Sequence, residues 1–252
     1  MSRQKLEHLP FTMDAGVAHR AALGLIVLAT DITLEHEWHE MICLPGVVTH
    51  TSRLYNAAAI NPETLAAMEK DIAGATALLR PGEKIDVVSF ACTSGSMVIG
   101  EEHVFSRIRE ARPGVACSTP ITAALAALDA LGAKRIALLT PYVESVNNWM
   151  CDYIEARGVA VPVFGSFNHE DDNEVARIDG PSLAAAVEQL GAQEVDAVFV
   201  SCTSVRIAHL IAGLEAKLGK PVISSNQALA WHTLRLAGIR DTLPGWGRLL
   251  SL

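Results

Sequence analysis

Apolar positions along the chain fall into two patterns. Short runs occur at residues 23–29, 87–91 (interrupted only by Ser89), 136–139, 197–200 and 221–223. Between them, apolar residues recur every three or four positions. Short runs bounded by turn residues read as strands buried on both faces. The periodic stretches read as helices with one apolar stripe. Asn61-Pro62-Glu63 opens a helix with a capping side chain, a proline at the first helical position and an acid in the first turn. Leu65, Met68, Ile72 and Leu79 follow at helical spacing, and Pro81-Gly82 stops it. Ser118-Thr119-Pro120 opens another helix, closed by Gly132. A third spans Glu144 to Arg157 and ends at Gly158, Pro181 starts a fourth, and Ser224-Ser225-Asn226 caps one more. Strands alternating with helices predict parallel sheets covered by helices on both faces, an α/β fold.

The pattern repeats. Ile85-Asp86-Val87-Val88-Ser89-Phe90-Ala91-Cys92-Thr93-Ser94 matches Val195-Asp196-Ala197-Val198-Phe199-Val200-Ser201-Cys202-Thr203-Ser204 at a constant offset of 110 residues. Gly24-Leu25-Ile26-Val27-Leu28 resembles Arg135-Ile136-Ala137-Leu138-Leu139 at nearly the same offset. Such self-similarity predicts two similar α/β halves. Ala111-Arg112-Pro113-Gly114 is rich in turn residues and marks one boundary. The cap at residues 224–226 marks another. The first domain is expected over residues 1–115 plus 226–252 and the second over 116–225, with the active site in the cleft between them.

Composition narrows the class. With 252 residues, half of them apolar, the chain buries a large core. Charged residues make up 19% and mean hydropathy is +0.27, the opposite of a disordered chain. No run approaches the roughly 18 apolar residues of a membrane span. Met1-Ser2-Arg3-Gln4-Lys5-Leu6-Glu7-His8 lacks the apolar stretch of a secretory signal. Five cysteines, an odd number in a large chain, fit a reducing cytoplasm better than a disulfide framework. The net charge of −8, with Lys and Arg scattered, gives no footprint for nucleic acid. A homo-oligomer stays open.

The candidate chemistry sits on the repeat. Each Cys-Thr-Ser lies at the carboxyl end of a predicted buried strand, where open α/β sheets bind ligands. A helix following each cysteine would favour thiolate over thiol. The hydroxyls of Thr93, Ser94, Ser96, Thr203 and Ser204, and the small loop at Gly95, offer donors to an anion. Two thiols, Cys92 and Cys202, facing one small acid suit proton transfer from opposite sides, or addition by one thiol with proton transfer by the other. Cys43, Cys117 and Cys151 lack these flanks and read as structural. Tyr142, in Thr140-Pro141-Tyr142-Val143-Glu144, is placed to reach the same crevice. Asp31, in the matching place of the first half, is either a helix cap or a substrate contact. In Glu35-His36-Glu37-Trp38-His39-Glu40 the spacing fails the zinc-protease pattern, so no metal is expected. His169-Glu170-Asp171-Asp172-Asn173 reads as an acidic surface loop. Phosphate loops, dinucleotide fingerprints and the hydrolase elbow are absent, and no cofactor is implied.

The segments Ala91-Cys92-Thr93-Ser94-Gly95-Ser96, Thr140-Pro141-Tyr142-Val143-Glu144 and Ser201-Cys202-Thr203-Ser204 resemble motifs of the aspartate/glutamate racemase superfamily, with the likeness running over about residues 24–236. They are most similar to its branch containing maleate cis-trans isomerase, arylmalonate decarboxylase and the ectoine-utilisation protein EutA. The resemblance implies two flavodoxin-like domains with parallel sheets, related by pseudo-twofold symmetry, closing over a small carboxylate without a cofactor. It implies Cys92 and Cys202 as the catalytic pair, with Tyr142, Thr93, Ser94 and Thr203 on the substrate and Asn173 near the place of a substrate-binding asparagine. Asp31 departs from the pattern, standing where the isomerases carry an asparagine. Two like charges about 4 Å apart cost roughly 4 kcal/mol at an effective dielectric of 20. Either Asp31 is protonated, or it points away, or the substrate carries an amine or hydroxyl there. The decarboxylase has one of the two cysteines, so Cys92 argues for isomerase or racemase chemistry on a small mono- or dicarboxylate. A decarboxylase and a non-catalytic carboxylate-binding protein are the alternatives.

Overall fold

The computed structural model describes residues 3–57, 59–169 and 171–252. The reading of the N-terminus at Met1 and Ser2, and that of the acidic loop at Glu170, lie outside the described residues.

The first half runs β1 (Ala21–Leu28), α1 (Leu34–Met41), β2 (Val47–Leu54), α2 (Pro62–Ala66), α3 (Glu69–Ala77), β3 (Val87–Ala91), α4 (Thr93–Ile99), α5 (Glu101–Ala111), β4 (Ala116–Ser118) and α6 (Pro120–Ala130). The second runs β5 (Arg135–Thr140), α7 (Glu144–Glu155), β6 (Ala160–Ser166), α8 (Asp172–Val175), α9 (Gly180–Gly191), β7 (Ala197–Val200), α10 (Ile211–Leu218), β8 (Val222–Ser224) and α11 (Ser225–Leu236). The strands form two four-stranded sheets, ordered β2-β1-β3-β4 and β6-β5-β7-β8, with all pairings parallel. The halves therefore share one topology, as the repeat requires.

The repeated aspartate has a structural job. Asp86 Oδ2 accepts from Ala22 N at 2.8 Å, and Asp196 Oδ2 accepts from Lys134 N and Arg135 N at 2.9 and 2.8 Å. Each pins the start of the neighbouring central strand. Along β1 the pleat sorts side chains by period two. Leu23, Leu25 and Val27 face a core that also holds Ile136, Phe199 and Leu229 from later elements, while Ala22, Ile26 and Leu28 face a second cluster with Leu54, Ile72, Phe90 and Ile108. The two halves are thus joined through shared apolar packing. At that join α6 and α11 pack on each other, and α11 also lies against β3 and β4. Ser89 Oγ meets Thr233 Oγ1 at 2.7 Å, and Ser118 Oγ meets His232 Nδ1 at 2.8 Å.

Three differences from the sequence reading have physical reasons. Ala116–Ser118 pairs with β3, so the first sheet runs past the expected boundary at 115. The expected single helix at 62–79 is two, α2 and α3, because Met68 N bonds to Leu65 O in a tighter turn and its side chain swings inward to the cleft. The strands β2 and β6 are sheet edges; their half-exposed residues break the apolar runs that marked the central strands. No helix among the described residues is long and apolar enough to cross a membrane.

Candidate active site

The four central strands β1, β3, β5 and β7 end at one cleft, and the turns after them supply its walls. Cys92, Thr93, Ser94, Tyr142, Asp172, Cys202 and Thr203 line a small cavity of about 20 Å³, backed by Leu28, Asn56, Ile60, Leu65 and Met68. That is room for roughly one water molecule. Asn173 is not among the lining residues; its backbone N–H donates to Asp171 Oδ1 at 2.8 Å in the cap of α8. Its neighbour Asp172, expected at the surface, is buried and lines the cavity instead.

The two cysteines are held differently. Cys92 has extended backbone and is the N-cap of α4; its Sγ accepts from Gly95 N at 3.3 Å and stands 3.9 Å from Ser94 Oγ. A Cβ at Gly95 would lie 2.9 Å from that sulfur and 2.6 Å from Met68 Cε, so the close approach needs glycine. Cys202 is followed by a turn rather than the expected helix, and Ser204 N donates to its Sγ at 3.4 Å. The start of α11 links both loops. Ser225 Oγ accepts from Cys202 N at 3.1 Å and bonds Thr93 Oγ1 at 2.9 Å. Asn226 Nδ2 donates to Thr203 O at 2.9 Å.

Burial dominates the electrostatics. It pushes both thiols up to about 12, against the lowering expected from helix dipoles. The Gly95 N–H at Cys92, and the Tyr142 hydroxyl and Ser204 N–H at Cys202, pull the other way, while the Asp172 charge pushes both further up. Tyr142 is buried, its phenol beside the Cys202 thiol and the Ser94 hydroxyl, and burial raises it well above an ordinary phenol. Asn147 Nδ2 and Ser166 Oγ both donate to Tyr142 O, at 2.6 and 2.5 Å, fixing its turn.

Asp31 stands two residues before Thr33, the N-cap of α1, and its Oδ1 accepts from Thr33 N and Leu34 N at 2.7 Å each, so it holds the start of the helix. Its Oδ2 has no hydrogen-bond partner among the described residues. Burial lifts this carboxyl to about 6, against the two backbone N–H groups. Glu37, one turn on, is buried and lifted to about 7 by desolvation, while Asn226 Nδ2 and Ala208 N donate to it at 2.7 Å each. Thr33 Oγ1 donates to Ser204 O at 3.0 Å, so the start of α1 clamps the Cys202 loop. Of the remaining cysteines, Cys43 is exposed, Cys117 is buried with its thiol raised to about 11 by burial, Cys151 is half-buried, and none lines the cavity. Among the described residues no three His, Cys, Asp or Glu side chains gather as a metal site.

Sequence reasoning missed Asp172, Glu37 and Ser225. Asp172 carried one signal. Asp171 caps a helix, and Asp172 then shares a face with Val175 and Ala176, both buried.

Comparison with known proteins places this geometry. The arylmalonate decarboxylase family profile matches residues 24–250. A maleate isomerase of Nocardia farcinica is 29% identical over 239 residues, 90% of this chain and 94% of that protein. An arylmalonate decarboxylase of Bordetella bronchiseptica is 33% identical over 147 residues, 57% of this chain and 61% of that protein. A solved structure of Nocardia farcinica maleate cis-trans isomerase, a cysteine-to-serine mutant with a covalently bound succinylcysteine intermediate, superposes with a TM-score of 0.84 at 28% identity, over 92% of this chain and 98% of that one. The chain belongs to the arylmalonate decarboxylase family of enzymes, and its two-sheet α/β fold is that of the maleate isomerase structures.

Proposed function

We propose that the protein is a two-cysteine isomerase or racemase of a small carboxylate, working without a cofactor. The observation that carries this is the convergence of Cys92, Cys202 and the Tyr142 phenol on one enclosed cavity at the carboxyl ends of both sheets. The relative caught with a succinylcysteine supports a cysteine adduct as accessible chemistry on this fold.

In the isomerase version the Cys92 thiol gives its proton to water, and its sulfur forms a bond to one alkene carbon. The electron pair moves to the next carbon, which takes the Cys202 proton. The adduct has a single carbon–carbon bond and rotates. The Cys202 thiolate then removes that proton, the carbon–sulfur bond breaks, and the trans alkene leaves. In the racemase version one thiolate takes a proton from the carbon beside the carboxylate and the other thiol returns one to the opposite face. Both versions need a thiolate that burial disfavours, so substrate contacts must help to form it. The cavity, with room for roughly one water molecule, also has to widen for a four-carbon acid.

Proton NMR in deuterated water tests the reading with maleate, malate and aspartate. Cysteine-dependent deuterium incorporation or cis-trans conversion is expected for at least one of them. Binding with neither would leave a carboxylate-binding protein, and release of carbon dioxide from an arylmalonate would favour the decarboxylase.

A further inference from the structure

One wall of the cavity is a buried acid. Asp172 lines the cavity, with Oδ1 accepting from Ser204 Oγ at 2.6 Å and Oδ2 from Thr30 Oγ1 at 3.0 Å. The direction of the second bond is fixed by its neighbour. Asn56 Nδ2 donates to Thr30 Oγ1 at 2.8 Å, so the Thr30 hydrogen turns to Asp172. Two donors on two oxygens is the arrangement of a carboxylate. Asp31 is 2% exposed, its Oδ2 has no hydrogen-bond partner among the described residues, and its carboxyl lies behind the cavity wall, near enough to Asp172 and Thr203 to feel both. No Lys, Arg or His lines the cavity among the described residues. Buried charge without a partner is costly, and a bound cation removes that cost.

We infer that Asp172, with Asp31 as the second negative charge behind it, forms a subsite for a protonated amine, so that the substrate is a small carboxylate bearing a cationic nitrogen. A dianion such as maleate meets repulsion on this wall. A zwitterion places its ammonium against Asp172 and its carboxylate toward Tyr142, Thr93 and Ser94. The same ammonium offsets the Asp172 charge that opposes thiolate formation at both cysteines. The inference rests on the cavity being the substrate site, as proposed above.

Isothermal titration calorimetry with succinate, malate and aspartate reads it directly, because these share a carbon chain and differ by hydrogen, hydroxyl or ammonium at one carbon. The wild-type protein is expected to bind aspartate at least about tenfold more tightly than succinate or malate, a difference of about 1.4 kcal/mol. Asp172→Asn should abolish that preference, and Asp31→Asn should reduce it. Equal or tighter binding of succinate or malate, no binding of aspartate at millimolar concentration, or an unchanged preference in Asp172→Asn overturns the inference. Binding preference is read without turnover. Loss of cysteine chemistry with the preference intact therefore counts against the catalytic reading alone, and the reverse counts against the amine subsite alone.

Discussion

At the scale of single residues, burial decides the behaviour of the site. A thiol raised to about 12 is almost wholly neutral at pH 8, with a thiolate fraction of roughly one in ten thousand. Cys43 is exposed. Iodoacetamide should therefore modify Cys43 first in the ligand-free protein, with Cys92 and Cys202 far slower. Peptide mapping after timed labelling checks the order, and Cys92 as the fastest site would contradict it. Asp31 gives a pH prediction whose sign follows from its direction. Its folded value of about 6 exceeds 3.8, so between these values the folded state holds a proton that the unfolded state has lost. Stability then falls as pH rises from about 4 to about 6 and stays lower above, by up to about 3 kcal/mol. Asn accepts backbone N–H groups at a helix start as well as Asp does. Asp31→Asn should leave stability unchanged near pH 3.5 and raise the Tm by a few degrees at pH 8, measured by calorimetry. A lowered Tm at pH 8 would show that the Asp31 carboxylate stabilises the fold.

At the scale of elements, α4 is the sensitive piece. Its first turn is packed so that Gly95 touches the Cys92 sulfur and the end of Met68. Gly95→Ala has to move one or both. The methionine is flexible and the fold survives, but a displaced sulfur is costly to catalysis; misplacement of about 1 Å costs up to 100-fold. Gly95→Ala should lower kcat by at least about tenfold with a Tm loss of only a few degrees. Unchanged kcat would separate the thiol from the reaction. This element also shows what the sequence made legible. The apolar runs at 87–91 and 197–200, and the Cys-Thr-Ser that follows each, located both halves of the cavity, because a central parallel strand is buried on both faces and its carboxyl end is a fixed place. Edge strands β2 and β6 carried no such run. Asp172 was hidden for a different reason. An acid in an acidic stretch reads as solvated, and only the hydroxyls of Thr30 and Ser204, distant in sequence, make its burial tolerable. The two cysteines looked alike in sequence, yet only Cys92 caps a helix, since the residues after Cys202 are drawn into contacts with Thr33 and Asn226.

At the scale of the whole molecule, the duplicated fold places one thiol on each half and shares the apolar core between them. Ser225 ties both cysteine loops together, and Glu37 and Thr33 of the first half hold the segment after Cys202. Neither half alone contains the cavity. Two thiols in one enclosed space is the central claim, and serine replacement tests it most directly. Serine keeps the size and the hydrogen bonding of each position, so Cys92→Ser and Cys202→Ser should fold with near wild-type Tm. What is lost is the acidity that lets a thiol reach its anion, which an alcohol does not approach. Turnover of whichever carboxylate shows deuterium incorporation should then be measured for all five single Cys→Ser variants side by side. Cys92→Ser and Cys202→Ser should each lose it, while Cys43→Ser, Cys117→Ser and Cys151→Ser should keep most of it. Full activity in either Cys92→Ser or Cys202→Ser would contradict the two-thiol mechanism.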